Sequence, residues 1–235
     1  MNPALNNKTF DTATVSGEVM TKNGVINKSF CLWAILALGA YLGWSHPSMA
    51  AGLLVPVSIG AFILAMIIVF KKHLSPVLSP IYAFCEGILL GCITLVFEKS
   101  YPGIAVNAIF LTICVLFCML AAFKAGFIKP TNKFYAIIGV STLAIALLYV
   151  VNMIIVLFGG VEFSFINGSS TFGILFSIIV VLIASFNLII DFDIIQKGVD
   201  MGAPKYMEWY GSFALMVTIV WLYVEILRLL SKLRR

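Results

Sequence analysis

Five charged side chains stand inside or at the edge of long apolar runs: Glu86, Asp191, Asp193, Glu225 and Arg228. An Asp at the centre of a membrane helix costs about 2.5–3.5 kcal/mol on insertion scales. Such a group is retained where it faces protein or water, and it is neutralised by a proton, a cation or a metal ion. Two carboxylates brought close cannot both ionise cheaply, so they titrate as a unit. A pair of that kind makes a proton-sensitive latch between two helices, and its oxygens also suit a hard cation such as Ca²⁺. The stretch 187–235 concentrates the pattern. Asp191 and Asp193 lie near the end of one apolar run; after a short polar link, Glu225 lies well inside the next, with Arg228 three residues on.

Each residue also has a purely structural account. Asp191 and Asp193 fit solvated acids at the cytoplasmic end of their helix. Because successive helical residues diverge by about 100°, this i, i+2 pair points to different sides, and at most one faces a given partner. Glu86, a turn or so inside its run, fits a capping or snorkelling acid. Glu225 lies about 20 Å along a helix counted from residue 212. It is satisfied either by Arg228 at i+3 or by an acid of the preceding helix. For Asp193 and Glu225 to meet, the last helix must tilt or start lower, or water must reach inward from the cytoplasm.

The elements that carry these groups follow from composition. The 235 residues are 62% hydrophobic and 11% charged, whereas a soluble domain carries about 25% charged residues. Mean hydropathy is +1.09. The expected fold is therefore all-α: a polytopic membrane protein with seven transmembrane helices. Residues 1–29 read as a flexible cytoplasmic tail, with 20–29 available as a lead-in, and 30–235 as the membrane domain. The expected spans are 30–44, 50–70, 81–97, 104–123, 135–158, 172–195 and 212–230. Pro56 is a candidate kink. Pro76 and Pro80 read as punctuation of the second loop. Gly87 and Gly91 have the small-xxx-small spacing that lets helices approach closely. The link 159–170 is rich in Gly and Ser, and Asn167-Gly168-Ser169 matches a glycosylation acceptor. The first apolar run follows a long polar lead, unlike a signal peptide, so it is expected to be kept as a span.

Basic residues set the orientation. With the N-terminus inside, the inner loops hold Lys71, Lys72, Lys124, Lys129, Lys133, Lys197 and Lys205, and the outer loops hold only Lys99. One conflict stands: seven full spans put Lys232, Arg234 and Arg235 outside, unless the last segment does not cross fully. The net charge of +5 belongs to these loops, and no basic stripe interleaved with aromatics points to nucleic acid. Cys31, Cys85, Cys92, Cys114 and Cys118 have no CxxC or Cys/His spacing and read as small thiols packed between helices. No GxSxG, HExxH, P-loop or GxGD motif occurs, and His46 and His73 lie in different loops. Neither an enzyme nor a cofactor is expected.

Three segments carry a family resemblance: Ile81 to Gly91 (IYAFCEGILLG), Asp191-Phe192-Asp193 with Gln196, and Leu222 to Leu227 (LYVEIL). In this order and spacing over residues 20 to 235 the chain resembles the Bax inhibitor-1 family, the transmembrane Bax-inhibitor-motif proteins. The bacterial branch carrying a Glu-Trp-Tyr segment, here Glu208 to Tyr210, is the most similar. The resemblance implies a seven-helix fold with the last helix central. It also implies a pH-sensitive calcium leak in which an acid on helix six and an acid on helix seven share a proton and hold the pore shut. By motif position these are Asp193 and Glu225. A basic residue at the end of helix two joins them in the family, and Lys71 or Lys72 stands nearest here. This chain departs in having Glu rather than Asp on helix seven, a longer link between the two acids, and Lys rather than the bidentate Arg on helix two.

The leading expectation is a pH-sensitive leak for Ca²⁺ or another cation, gated at Asp193 and Glu225, which would also be its transient Ca²⁺ ligands. A second reading is a non-conducting regulator that binds another membrane protein, such as a membrane protease. A third is a proton-coupled transporter of a small solute. The bilayer is the expected surrounding in every case, in a bacterial inner membrane.

Overall fold

Each apolar run of the sequence forms one continuous helix. The computed structural model describes residues 18–161, 163, 166 and 168–234, with backbone only at 47–51 and 53. Among the described residues there are seven helices. They are α1 (Lys22–Ser45), α2 (Pro47–Phe70), α3 (Ser75–Ser100), α4 (Ile104–Lys124), α5 (Asn132–Leu157), α6 (Thr171–Asp200) and α7 (Met207–Leu233). A 3₁₀ turn, Lys72–Leu74, joins α2 to α3. All but α2 carry a window long and apolar enough to cross a membrane. The described apolar part of α2, Leu54–Phe70, is shorter. The chain is an all-α polytopic membrane protein, as expected.

Local signals set the helix ends. Thr21 caps α1 by accepting the Gly24 N–H at 3.0 Å, and Thr131 caps α5 by accepting the Phe134 N–H. Gly202, with φ +67°, closes α6 in the left-handed conformation that glycine adopts without strain, and the Ala203 N–H reaches back to the Gly198 carbonyl.

Several boundaries differ from the sequence reading. Helix α1 begins at Lys22, so 22–29 are helical rather than tail: Thr21 supplies the cap, and Val25 and Ser29 are buried. Residues 1–17 of the tail expected over 1–29 lie outside the described residues, as do Asn167 of the glycosylation match and Arg235. Pro76 and Pro80 lie within α3, not in a loop; Pro76 sits in the first turn, where no backbone donor is needed. Helix α7 begins at Met207, five residues before the expected start. It runs unbroken for 27 residues, about 40 Å at 1.5 Å per residue, so its length suffices to cross.

The helices divide into two compact units. One holds α1, α2, α3, the part of α6 from Asp191 onward and the part of α7 up to Val217. In it α1 packs along α3. A Cβ at Gly39 would fall on the Phe84 carbonyl, one at Gly43 on Ile88, one at Gly87 on Leu36 and one at Gly91 on Ala40. Backbone therefore meets backbone, which is what the glycine spacing predicts. The other unit holds α4, α5, α6 up to Ile190 and α7 from Thr218. In α7, 56% of the apolar window is buried, against 6% in α5. The cysteines depart from expectation: Cys92 is buried, but Cys31, Cys114 and Cys118 are exposed on helix surfaces. In a bilayer an outward face is apolar too, so a thiol needs no seat between helices.

Candidate functional site

Helix α7 carries a polar stripe at helical spacing: Trp221, Glu225, Arg228 and Lys232, at i, i+4, i+7 and i+11. Glu225 lies about 27 Å from the start of the helix and is only 2% exposed. The Tyr149 hydroxyl, from α5, lies 3.0 Å from both carboxylate oxygens and donates to them. Arg228 Nη1 donates to Glu225 Oε1 at 3.1 Å, and the Trp221 side chain adds a hydrogen bond from one turn earlier. The Arg228 guanidinium also stacks 4.8 Å from the centre of the Tyr149 ring, so Tyr149 touches both members of the ion pair. Lys232 is buried as well. Its ammonium donates to the Gly173 carbonyl at 3.0 Å and to Ser177 Oγ at 2.8 Å, both on α6. Arg234 donates to the Pro102 carbonyl at 2.8 Å. The two described cations of the C-terminal end are thus spent on backbone and hydroxyl oxygens of neighbouring helix ends.

The remaining sequence candidates lie in the other unit. Asp191 is fully buried, against the reading of it as a solvated interfacial acid. It stands nine residues before the end of α6, about 14 Å inside, and its side faces protein. Asp193 is partly exposed and pairs with Lys197 at 2.6 Å, one turn on. The i, i+2 divergence expected of the two acids is visible in that difference. Glu86 is about 16 Å into α3, deeper than expected because α3 starts earlier. Tyr82, one turn before it, hydrogen-bonds its carboxylate. Of the two helix-two cations, Lys72 lies 5.8 Å from the centre of the Tyr210 ring, while Lys71 ends α2 and is exposed. Glu225 and Arg228 are therefore brought together as the spacing predicts. Asp193 belongs to one unit and Glu225 to the other, and each is held by its own partners.

Sequence reasoning missed three groups. Tyr149 is one aromatic among many in an apolar run and carries no local signal. Lys232 does: it lies seven residues after Glu225 and four after Arg228 on the same face. Glu208 reads as an interfacial acid, yet it is 1% exposed. It accepts hydrogen bonds from the Thr21 N–H and Thr21 hydroxyl, both at 2.9 Å, and pairs with Lys28. A Cβ at Gly24 would overlap that carboxylate. The same end is stapled by Met20 N–H to Ala203 O at 2.7 Å, Lys205 N–H to Glu18 O at 3.0 Å and a Glu18–Lys205 ion pair.

Among the described residues no three His, Cys, Asp or Glu side chains cluster as a metal site. What the α7 stripe does offer is a buried carboxylate whose partners, a phenol and a guanidinium, hold it best while it is charged. A model of the family described as Bax inhibitor 1 like matches residues 2–235. No curated protein and no solved structure matches the chain.

Proposed function

The chain belongs to the Bax inhibitor 1 like family, and from that premise we propose that it is a pH-sensitive leak for Ca²⁺ or another cation. The membrane is a bacterial inner membrane, with the N-terminus cytoplasmic. The reading is of a conduit and not of an enzyme, and it requires no cofactor. The observation that carries it is Glu225: a carboxylate inside a spanning helix, 2% exposed, bonded across to α5 through Tyr149. A proton shifts a conformational equilibrium only if it binds the two states differently. Tyr149 and Arg228 attract Glu225 chiefly as an anion, so protonation weakens the α5–α7 tie and favours a state that lacks it. Flux then rises on acidification. Asp193, paired with Lys197 at i, i+4, is the second acid of the pathway, and both carboxylates serve as transient ligands of the passing cation.

The test is Ca²⁺ flux into proteoliposomes of the full chain over about pH 5–8. Flux is expected to increase as pH falls, and Glu225→Gln is expected to flatten that dependence. An unchanged pH profile in Glu225→Gln removes it as the gate. No flux at any pH from folded protein removes the leak and leaves a membrane regulator acting on another membrane protein.

A further inference from the structure

We propose that a groove on α2 seats one acyl chain of an anionic phospholipid, with the lipid phosphate held at Lys71. The inference is independent of whether the protein conducts; it needs only that the chain is embedded in a bilayer. The groove has a volume of about 370 Å³ and is lined by Phe62, Ile63, Met66, Ile67, Phe70 and Lys71. These positions are i, i+1, i+4, i+5, i+8 and i+9, one continuous face of a helix. Phe62 and Phe70 stand 67% and 76% exposed, so the walls of the groove are aromatic edges that no described part of the protein covers. From Phe62 to Lys71 the groove extends about 14 Å along the helix. That is close to half of a hydrocarbon core of about 30 Å, the depth of one leaflet.

The charge sits where a headgroup would. Lys71 ends the helix, its backbone N–H taken by the Ile67 carbonyl. Its exposed ammonium has no hydrogen bond or ion pair among the described residues. Lys72 turns away to the Tyr210 ring, and His73 stays exposed beside Lys71. No acid lines the groove. An apolar channel of one-leaflet depth that ends on an unpaired cation complements a chain that ends on a phosphate. A zwitterionic headgroup brings its own cation to the same place and gains less.

The test uses the purified full chain in nanodiscs of mixed phosphatidylglycerol and phosphatidylcholine, with retained lipids counted by native mass spectrometry. Wild type is expected to retain phosphatidylglycerol preferentially. Lys71→Ala is expected to lower that retention about fivefold, the effect of one lysine near an anionic surface, and Lys71→Arg to preserve it. Lys129→Ala, at another exposed lysine, is expected to leave it unchanged. Ile67→Trp, which fills the groove, is expected to reduce retention of both lipids. Equal losses in Lys71→Ala and Lys129→Ala, or no preference for phosphatidylglycerol in wild type, overturn the proposal. So does a Met66→Cys cross-link between two copies that forms whatever the lipid, since the groove is then covered by a second chain.

Discussion

Glu208 and Glu225 stand on the same helix and are buried to nearly the same degree, 1% and 2% exposed, yet they are held in opposite ways. Glu208 receives a cation from α1, a hydroxyl and a backbone N–H. The backbone donor cannot turn aside, and Gly24 leaves room for the carboxylate and nothing else. Glu225 receives a neutral phenol from α5 and, from its own helix, the Trp221 side chain and a cation that remains 30% exposed. Burial alone therefore does not make a switch. A buried acid with a fixed backbone donor and a cation from another helix is a clamp; one held by side chains alone, with a cation that has access to solvent, can lose its charge without orphaning its surroundings.

The comparison breaks first at the clamp. Glu208→Gln leaves Lys28 without its counter-charge and is expected to lower stability by about 3 kcal/mol, at the lower end for breaking a buried pair, measured by thermal or denaturant unfolding in detergent. Gly24→Ala drives a methyl into the same carboxylate. The double variant is expected to be no worse than the more damaging single, because both act on one contact. If Glu208→Gln costs no more than Glu225→Gln, the two sites are not different in kind.

A smaller effect is expected at the other end. Tyr149→Phe removes one hydroxyl from Glu225 and is expected to cost about 1 kcal/mol, the net worth of an ordinary hydrogen bond. It is also expected to bring the onset of flux on acidification to a different pH, because Arg228 then holds the carboxylate without help from α5. A stability loss with an unmoved flux profile would make Tyr149 a packing residue only.

The smallest effect belongs to the Glu18–Lys205 pair on the surface. Lys205→Ala is expected to leave the midpoint of unfolding unchanged, because solvent screens an exposed pair. The hydrogen bond and charge of Glu18 hold the Lys205 ammonium above its ordinary range. A raised lysine stabilises the folded chain below the free-lysine range and ceases to do so only as pH climbs through the raised value. A pH response below neutrality therefore does not come from this lysine. A clear fall in stability in Lys205→Ala near neutral pH would promote this staple to a clamp like Glu208.

Much of the fold was legible in the residues. The apolar runs mark the helices because an uninterrupted run of about 20 apolar residues has no favourable place but a bilayer or a core. The Gly87 and Gly91 spacing marked a face for close helix packing, but not that α1 would be its partner. The ends were less legible: Thr21, Pro76 and Met207 extend helices past the apolar runs, because capping and first-turn chemistry continue a helix where hydropathy has already fallen. Of the candidate site, the Glu225–Arg228 pair could be read from its i, i+3 spacing, and Lys232 from the same face.

Class, membrane character, helix number and the set of costly charges were thus settled by local composition, since each depends on residues adjacent in the chain. Partnership was not. Tyr149 reaches Glu225 across 76 positions and Lys28 reaches Glu208 across 180. Helices that are apolar nearly all round carry no amphipathic stripe to show which face turns inward. The rotation of each helix, and with it the choice between a solvated acid and a buried one at Asp191, was decided only when the helices packed.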